Sequence, residues 1–190
     1  QRLIPFQLKI IELNTVDEVC FAIKEMQVRG APLIGVTAAY GMYIAARENI
    51  DLKKASEKIN ATRPTAVNLS WALNKIMNSI KDINTDELPI KILELANQIR
   101  KDDIINCNSI GKHGYKLIKE VYEKNNKPVN ILTHCNAGWL ATVDWGTALA
   151  PVFVAHKNNI PIHVWVDETR PRNQGFNLTS WELLNENIPN

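Results

Sequence analysis

The chain has no apolar run close to the roughly 20 residues that a membrane-crossing helix requires. Cysteine is scarce: Cys20, Cys107 and Cys135 are odd in number and far apart, with no Cys-x-x-Cys pair. That argues against a disulfide framework and against a thiolate zinc site, and makes a reducing cytoplasm the default. No block of like charge exists. The net charge is +2, and the 22% of charged residues are interspersed, so charge offers no attraction for nucleic acid or a membrane surface. There is no G-x-G-x-x-G, no Walker loop and no H-E-x-x-H, which disfavours a dinucleotide or metal enzyme. No cofactor is expected. A secretory signal, an internal repeat and a low-complexity segment are also missing. The chain starts at Gln1 rather than at a methionine, from which an absent upstream piece is expected.

What is present is an ordinary globular composition, 45% hydrophobic over 190 residues, enough for one large domain or two small ones. Two regions differ in period. Residues 1–127 read as mainly helical. Thr15-Val-Asp-Glu18 is a capping box, followed by Val16, Val19, Ile23 and Met26 at helical spacing. Pro32 suits the first turn of a second helix, whose Gly35, Ala38, Ala39, Gly41, Ala45 and Ala46 permit close approach of a neighbour. Further helical patterns cover Leu52 to Ala61, Val67 to Ile80, Leu88 to Leu95 (extending towards Asn106) and Ile110 to Glu123. Asn125-Asn-Lys-Pro128 is a turn.

Residues 128–190 read as the first part of an α/β domain. Val129 to Leu132 is a strand, Gly146 to Lys157 a helix and Ile160 to Val166 a second strand. Such a βαβ unit makes the strands parallel. Two strands rarely make a stable sheet, so the unit is expected to be incomplete or completed by another chain. Thr179-Ser-Trp-Glu182 reads as a second capping box, opening a short helix to Asn187.

Cys135 lies at the carboxyl end of the first strand, before Asn-Ala-Gly138 and a further helical pattern. Open α/β sheets place ligands there, and a helix start favours a thiolate. A free cysteine is most often only a small buried hydrophobe; its place on the sheet edge favours function for this one. Strand neighbours point to opposite faces, so His134 is read as structural rather than as a partner of the thiol. Val28-Arg-Gly-Ala-Pro32 is either a turn with Gly30 left-handed or an anion cradle. In the cradle, Gly30 and Ala31 offer N–H groups and Arg29 offers charge. Arg63, held extended by Pro64, is either a binding residue or a solvated arginine, and Thr65 can cap the next helix. The Asp167–Gly175 loop follows the second strand and is either solvated or in contact with substrate. Asp144 is a candidate helix cap. His113, His156 and His163 show no metal-ligand spacing.

Taken together, the segments at 28–36 (Val-Arg-Gly-Ala-Pro-Leu-Ile-Gly-Val), 63–69 (Arg-Pro-Thr-Ala-Val-Asn-Leu), 133–138 (Thr-His-Cys-Asn-Ala-Gly), 145–149 (Trp-Gly-Thr-Ala-Leu) and 166–175 (Val-Asp-Glu-Thr-Arg-Pro-Arg-Asn-Gln-Gly) resemble the methylthioribose-1-phosphate isomerase family. They stand in that family's order and span nearly the whole chain. The wider superfamily includes ribose-1,5-bisphosphate isomerases and regulatory subunits of the exchange factor for translation initiation factor two. The resemblance implies a helical amino-terminal domain, a Rossmann-like carboxyl-terminal domain, a homodimer or a complementing carboxyl-terminal chain, and no cofactor. It implies a small sugar-phosphate substrate, isomerised from 5-methylthioribose 1-phosphate to 5-methylthioribulose 1-phosphate. Cys135 falls on the family's catalytic cysteine, and Arg29, Gly30, Ala31, Arg63 and Gln174 fall on substrate-binding positions. The family's catalytic aspartate follows the next helix, in a Ser/Thr-Asp-Asn-like segment, and neither Asp144 nor Asp167 matches it. On the resemblance, the chain is expected to be a truncated or split form that carries half of the catalytic pair. Trp139 stands where relatives often have a smaller residue, which would narrow the pocket. A non-catalytic regulatory relative and a ribose-1,5-bisphosphate isomerase are the alternatives.

Overall fold

The computed structural model describes residues 1–190. It divides into two compact units, one of Gln1–Arg2 with Lys9–Asp102, the other of Leu3–Leu8 with Asp103–Asn190. The division falls inside a long helix, earlier than the turn before the first strand where the change of sequence period lies.

The first unit is helical. Helix α1 (Val16–Lys24) begins at the expected capping box. Thr15 Oγ1 accepts the Glu18 N–H at 3.2 Å, and the Glu18 carboxylate accepts the N–H groups of Asn14 and Thr15 at 2.6 and 3.0 Å. Helix α2 (Ala31–Arg47) is the unit's centre and packs on α1, on α3 (Leu52–Asn60) and on α4 (Val67–Ser79). Its small residues matter for the reason read from the sequence. A Cβ at Gly35 would stand 2.9 Å from the Asn68 carbonyl, and one at Gly41 would press on Val19 and Ile59. Ile23, Met42, Ile59, Leu69, Leu73 and Ile76 form the fully buried centre. One local expectation differs. Thr65 does not cap α4; the cap position is Ala66, without a side-chain bond, and its N–H instead closes a turn onto the Arg63 carbonyl at 2.9 Å.

The patterns at 88–95 and 110–123 prove to be one helix, α5 (Leu88–Asn125). No proline lies between Ile90 and Lys127 to break it. Ile92, Ala96 and Ile99 are buried in its first part and Cys107 in its second. Because the helix serves two units in turn, its apolar pattern looks interrupted at the polar stretch Arg100–Asp103.

The second unit is α/β. Strands β1 (Val129–His134) and β2 (Ile162–Asp167) are parallel, in register from Val129 opposite Ile162 to His134 opposite Asp167. The connection runs through α6 (Ala150–Lys157), later than the expected start at Gly146. Positive φ at Asn126 (48°) and Asn159 (58°) marks the two turns read from asparagine pairs. Val129, Leu149, Val152, Phe153, Ile162, Val164 and Leu183 form the core. Gly111 and Gly114 let α6 lie against α5: a Cβ at Gly114 would collide with the Pro151 ring. After β2 come a π-helical stretch, Gly175–Ser180, and then α7 (Trp181–Asn185). The second capping box does not form, since the α7 cap position is Ser180 and it makes no side-chain bond.

Candidate functional site

Strand β1 stops at His134, and the next residue turns sharply. Cys135 has φ 65°, a conformation that costs a non-glycine residue of order 1–3 kcal/mol and persists only where the surroundings enforce it. Here they do. The Thr179 hydroxyl, fully buried, donates to the Cys135 carbonyl at 2.6 Å, and the Cys135 thiol donates to Gln174 Oε1 at 3.2 Å. The loop beyond is closed on itself, with the Ala137 carbonyl accepting the N–H groups of Thr147 and Leu149 at 2.9 and 3.2 Å. Gly146, at φ 76°, crosses so close to Gly138 that no Cβ fits. Asp103 of α5 accepts the Val143 N–H at 2.8 Å. Burial raises the Asp103 carboxyl above the usual carboxylate value, and the Val143 N–H partly offsets this.

The expected helix does not follow Gly138 directly. Only a single 3₁₀ turn, Trp139–Ala141, stands there, and α6 waits until Ala150. A helix start therefore does not favour the Cys135 thiolate: a three-residue turn has no developed dipole. Asp144 is likewise no helix cap; it accepts the adjacent Trp145 N–H at 2.8 Å. Trp139 packs edge-on against Trp181, ring centroids 5.8 Å apart.

The loop after β2 is folded by its own glutamate. Glu168 accepts the N–H groups of Thr169, Gly175 and Phe176 at 2.6, 3.3 and 3.0 Å. A Cβ at Gly175 would collide with the Asp167 carbonyl. This tight return brings Gln174 to the thiol. The same loop borders an open cavity of about 490 Å³, lined by Glu168, Arg170, Pro171, Asn173 and Phe176 and not by Cys135 or Gln174. His134, read as structural, faces Asp167 across the strand pair, Nδ1 to Oδ2 3.6 Å, with both side chains more than half exposed.

Cys107 is buried, and burial with the nearby Asp103 pushes it up to about 11; burial also raises Cys20. Both are poor nucleophiles at neutral pH. No group of three or more His, Cys, Asp or Glu is placed to hold a metal ion.

In the first unit, Arg29 is 8% exposed, and Gly30 takes φ 101° as the cap position of α2, with Ala31 and Pro32 opening the helix. No side chain caps this start, so its N–H groups suit an anion. Arg63 is half-buried in the turn before α4, and its Nη2 is buried without a hydrogen-bond partner. The structure thus brings Cys135 and Gln174 together in one unit, and holds Arg29, Gly30 and Ala31 contiguous in the other, where Arg63 sits one helix pair away in sequence.

Three residues of the Cys135 loop's surroundings escaped sequence reasoning: Asp103, Thr179 and Glu182. Thr179 and Glu182 did carry a signal, their Thr-x-x-Glu spacing, but it reads as a local cap. Both side chains turn instead to the Cys135 loop. Asn136, beside the thiol, was also not singled out; both its amide atoms are buried and unpartnered.

Residues 27–190 match the model of the Initiation factor 2 subunit family. The chain belongs to that family. Methylthioribose-1-phosphate isomerase of Methylorubrum extorquens is 48% identical over 192 residues, covering 100% of this chain and 53% of the relative. The crystal structure of 5-methylthioribose 1-phosphate isomerase from Pyrococcus horikoshii OT3 superposes with a TM-score of 0.89 at 38% identity, covering 99% of this chain and 54% of that one. The translation initiation factor eIF-2B subunit delta from A. fulgidus gives 0.81 at 37% identity, covering 98% and 56%. The chain spans about half the length of the relatives it matches.

Proposed function

We propose that the protein is an aldose–ketose isomerase that converts 5-methylthioribose 1-phosphate to 5-methylthioribulose 1-phosphate, with Cys135 in proton transfer. The observation that carries this is the Cys135–Gln174 contact at 3.2 Å. It joins a thiol and an amide at the carboxyl ends of two parallel strands, where such sheets take ligands. The names of the isomerase relatives support the same reading.

The substrate's anomeric oxygen carries phosphate, so the ring cannot open as a free sugar does. One group must protonate the ring oxygen as the C–O bond breaks, and another must handle the C2 hydrogen. Cys135 is assigned one of these proton transfers. Arg29, Arg63 and the N–H groups of Gly30 and Ala31 are assigned to phosphate, which guanidinium groups and helix starts suit. Gln174 is assigned to a sugar hydroxyl. Asp167 and Asp144 are given no role, since His134 faces the first and the second accepts its neighbour's N–H. A Rossmann-like second domain beginning at residue 128, a homodimer and a cytoplasmic location complete the proposal.

A non-catalytic regulatory role is the second reading, favoured by the likeness to eIF-2B subunit delta. A thiol held in a costly conformation against an amide has no evident use there. Assay of the full-length protein with 5-methylthioribose 1-phosphate decides: turnover is expected, falling in Cys135→Ser by about a hundred- to ten-thousand-fold, the usual worth of a proton-transfer group. No turnover, or turnover unchanged in the serine variant, refutes the assignment.

A further inference from the structure

Glu182, the second residue of α7, is completely buried, and burial pushes its carboxyl up to about 8. It lies directly against the backbone of Gly138, where any Cβ would collide with its carboxylate. The N–H groups of Leu140 and Trp139 face the carboxyl and favour its ionisation. Neither of its oxygens has a fully formed hydrogen bond. The one charged group acting on it is Glu186, just past the end of α7, which repels the anion; no cation does so.

A carboxyl in this state is expensive to bury, and its neighbours suggest why it is kept. Gln174, Thr179 and Glu182 lie within one short stretch, and all three reach the same loop. Gln174 meets the Cys135 thiol and Thr179 the Cys135 carbonyl, while Glu182 meets the turn at Gly138–Leu140. Trp181, between them, packs on Trp139.

We propose that Glu182 is a positioning residue for Cys135: its carboxyl sets the Gly138–Leu140 turn, and a change in its protonation moves the thiol. This rests on the reading of Cys135 as the reacting thiol. Below its titration the neutral carboxyl sits among apolar neighbours and the loop is seated. Above it, the anion pulls on the Trp139 and Leu140 N–H groups and draws water, and the loop shifts.

The test needs no substrate, so its outcome is independent of isomerase turnover. In the Cys135→Ser chain, where the thiol itself cannot titrate, the backbone amide signals of Trp139 and Leu140 are followed by NMR from about pH 6 to about pH 10. They are expected to move together with a midpoint near 8, and to stay still when Glu182→Gln is added. Iodoacetamide alkylation of Cys135 in otherwise native chain is the second readout. Glu182→Gln is expected to change its rate at least about threefold above the midpoint, leaving Cys20 unaffected. A merely structural glutamate would give no such pH-dependent difference. Amides that stay flat through the midpoint, or a Glu182→Gln alkylation profile that superposes on the native one, overturn the proposal. Should the glutamine variant fail to fold, the amide titration with Glu182 present decides alone.

Discussion

Two turns in this molecule carry candidate binding groups, and they are built in opposite ways. The Val28–Ala31 turn of the first unit places its backbone exception on a glycine, Gly30 at φ 101°, and passes at once into a 17-residue helix. The loop from Cys135 to Leu149 has three such residues, Cys135 at 65°, Trp145 at 69° and Gly146 at 76°, two of them not glycine. The first turn needs little beyond its own residues. The second is held by Asp103 from α5, by Thr179 from the π-helical stretch and by Glu182 from α7. A strained conformation at a reactive residue lasts only while its surroundings over-determine it. The thiol therefore depends on its neighbours, whereas the Gly30 turn depends mainly on being glycine.

The contrast breaks most visibly at the thiols. Cys107, raised from 9.0 to about 11, holds about a hundredth of the thiolate of an ordinary cysteine, each unit of pKa being a factor of ten. Alkylation of the native chain followed by peptide mass analysis should therefore label Cys135 first and Cys107 last. Labelling of Cys20 before Cys135 would remove the pocket assignment.

A smaller effect comes from filling each turn with one methyl group. Gly138→Ala drives a Cβ into the Glu182 carboxylate and should cost about 3 kcal/mol, at the high end for overpacking. Gly30→Ala meets the strain of its positive φ, which with ψ 128° lies outside the left-handed helical region and costs about 1–3 kcal/mol. Urea unfolding of the two variants should rank them in that order. The reverse order would show that the Cys135 loop yields more easily than its three clamps imply.

A further effect is in pH, and it differs in sign between the units. In the first, N–H groups hold Glu18 and Asp51 below their usual values. Such carboxylates contribute stability above their unfolded values, and that contribution is lost as pH falls through the lowered folded ones. In the second, burial raises Glu182 from 4.5 to about 8 and raises Asp103. The folded form then holds the proton more tightly than the unfolded one. That contribution is complete below 4.5 for Glu182 and is lost as pH rises through about 8. Hydrogen exchange measured across this range should show protection falling with rising pH in α7 and not in α1. Glu182→Gln should flatten the α7 response.

Parts of both units were legible in the chain. The Thr15–Glu18 box and the Asn126 and Asn159 turns rest on short-range chemistry, while the small residues of α2 and the two strands show in residue type and period. Cys135 was placed correctly at the end of β1. Its supposed helix was misplaced because Trp139–Ala141 has helical spacing but closes only one 3₁₀ turn before the Ala137 carbonyl captures Thr147 and Leu149. The Thr179–Glu182 pair was read as a cap for the same reason: a Thr-x-x-Glu spacing looks identical whether its side chains serve their own helix or a distant loop.

What the sequence by itself determined are features decided within a few residues: caps, turns, strand periodicity, and a family-bearing set of segments around Cys135, Arg29, Arg63 and Gln174. What only the tertiary structure decided is who holds the thiol. The bonds to Gln174, Thr179 and, further along the loop, Asp103 span 39, 44 and 40 residues. Glu182 takes its unusual proton affinity from burial that exists only once α7 and the loop have met. Local pattern reports what a residue can do for its neighbours in sequence; burial and long-range partners, which set the shape of the Cys135 loop, come only with the fold.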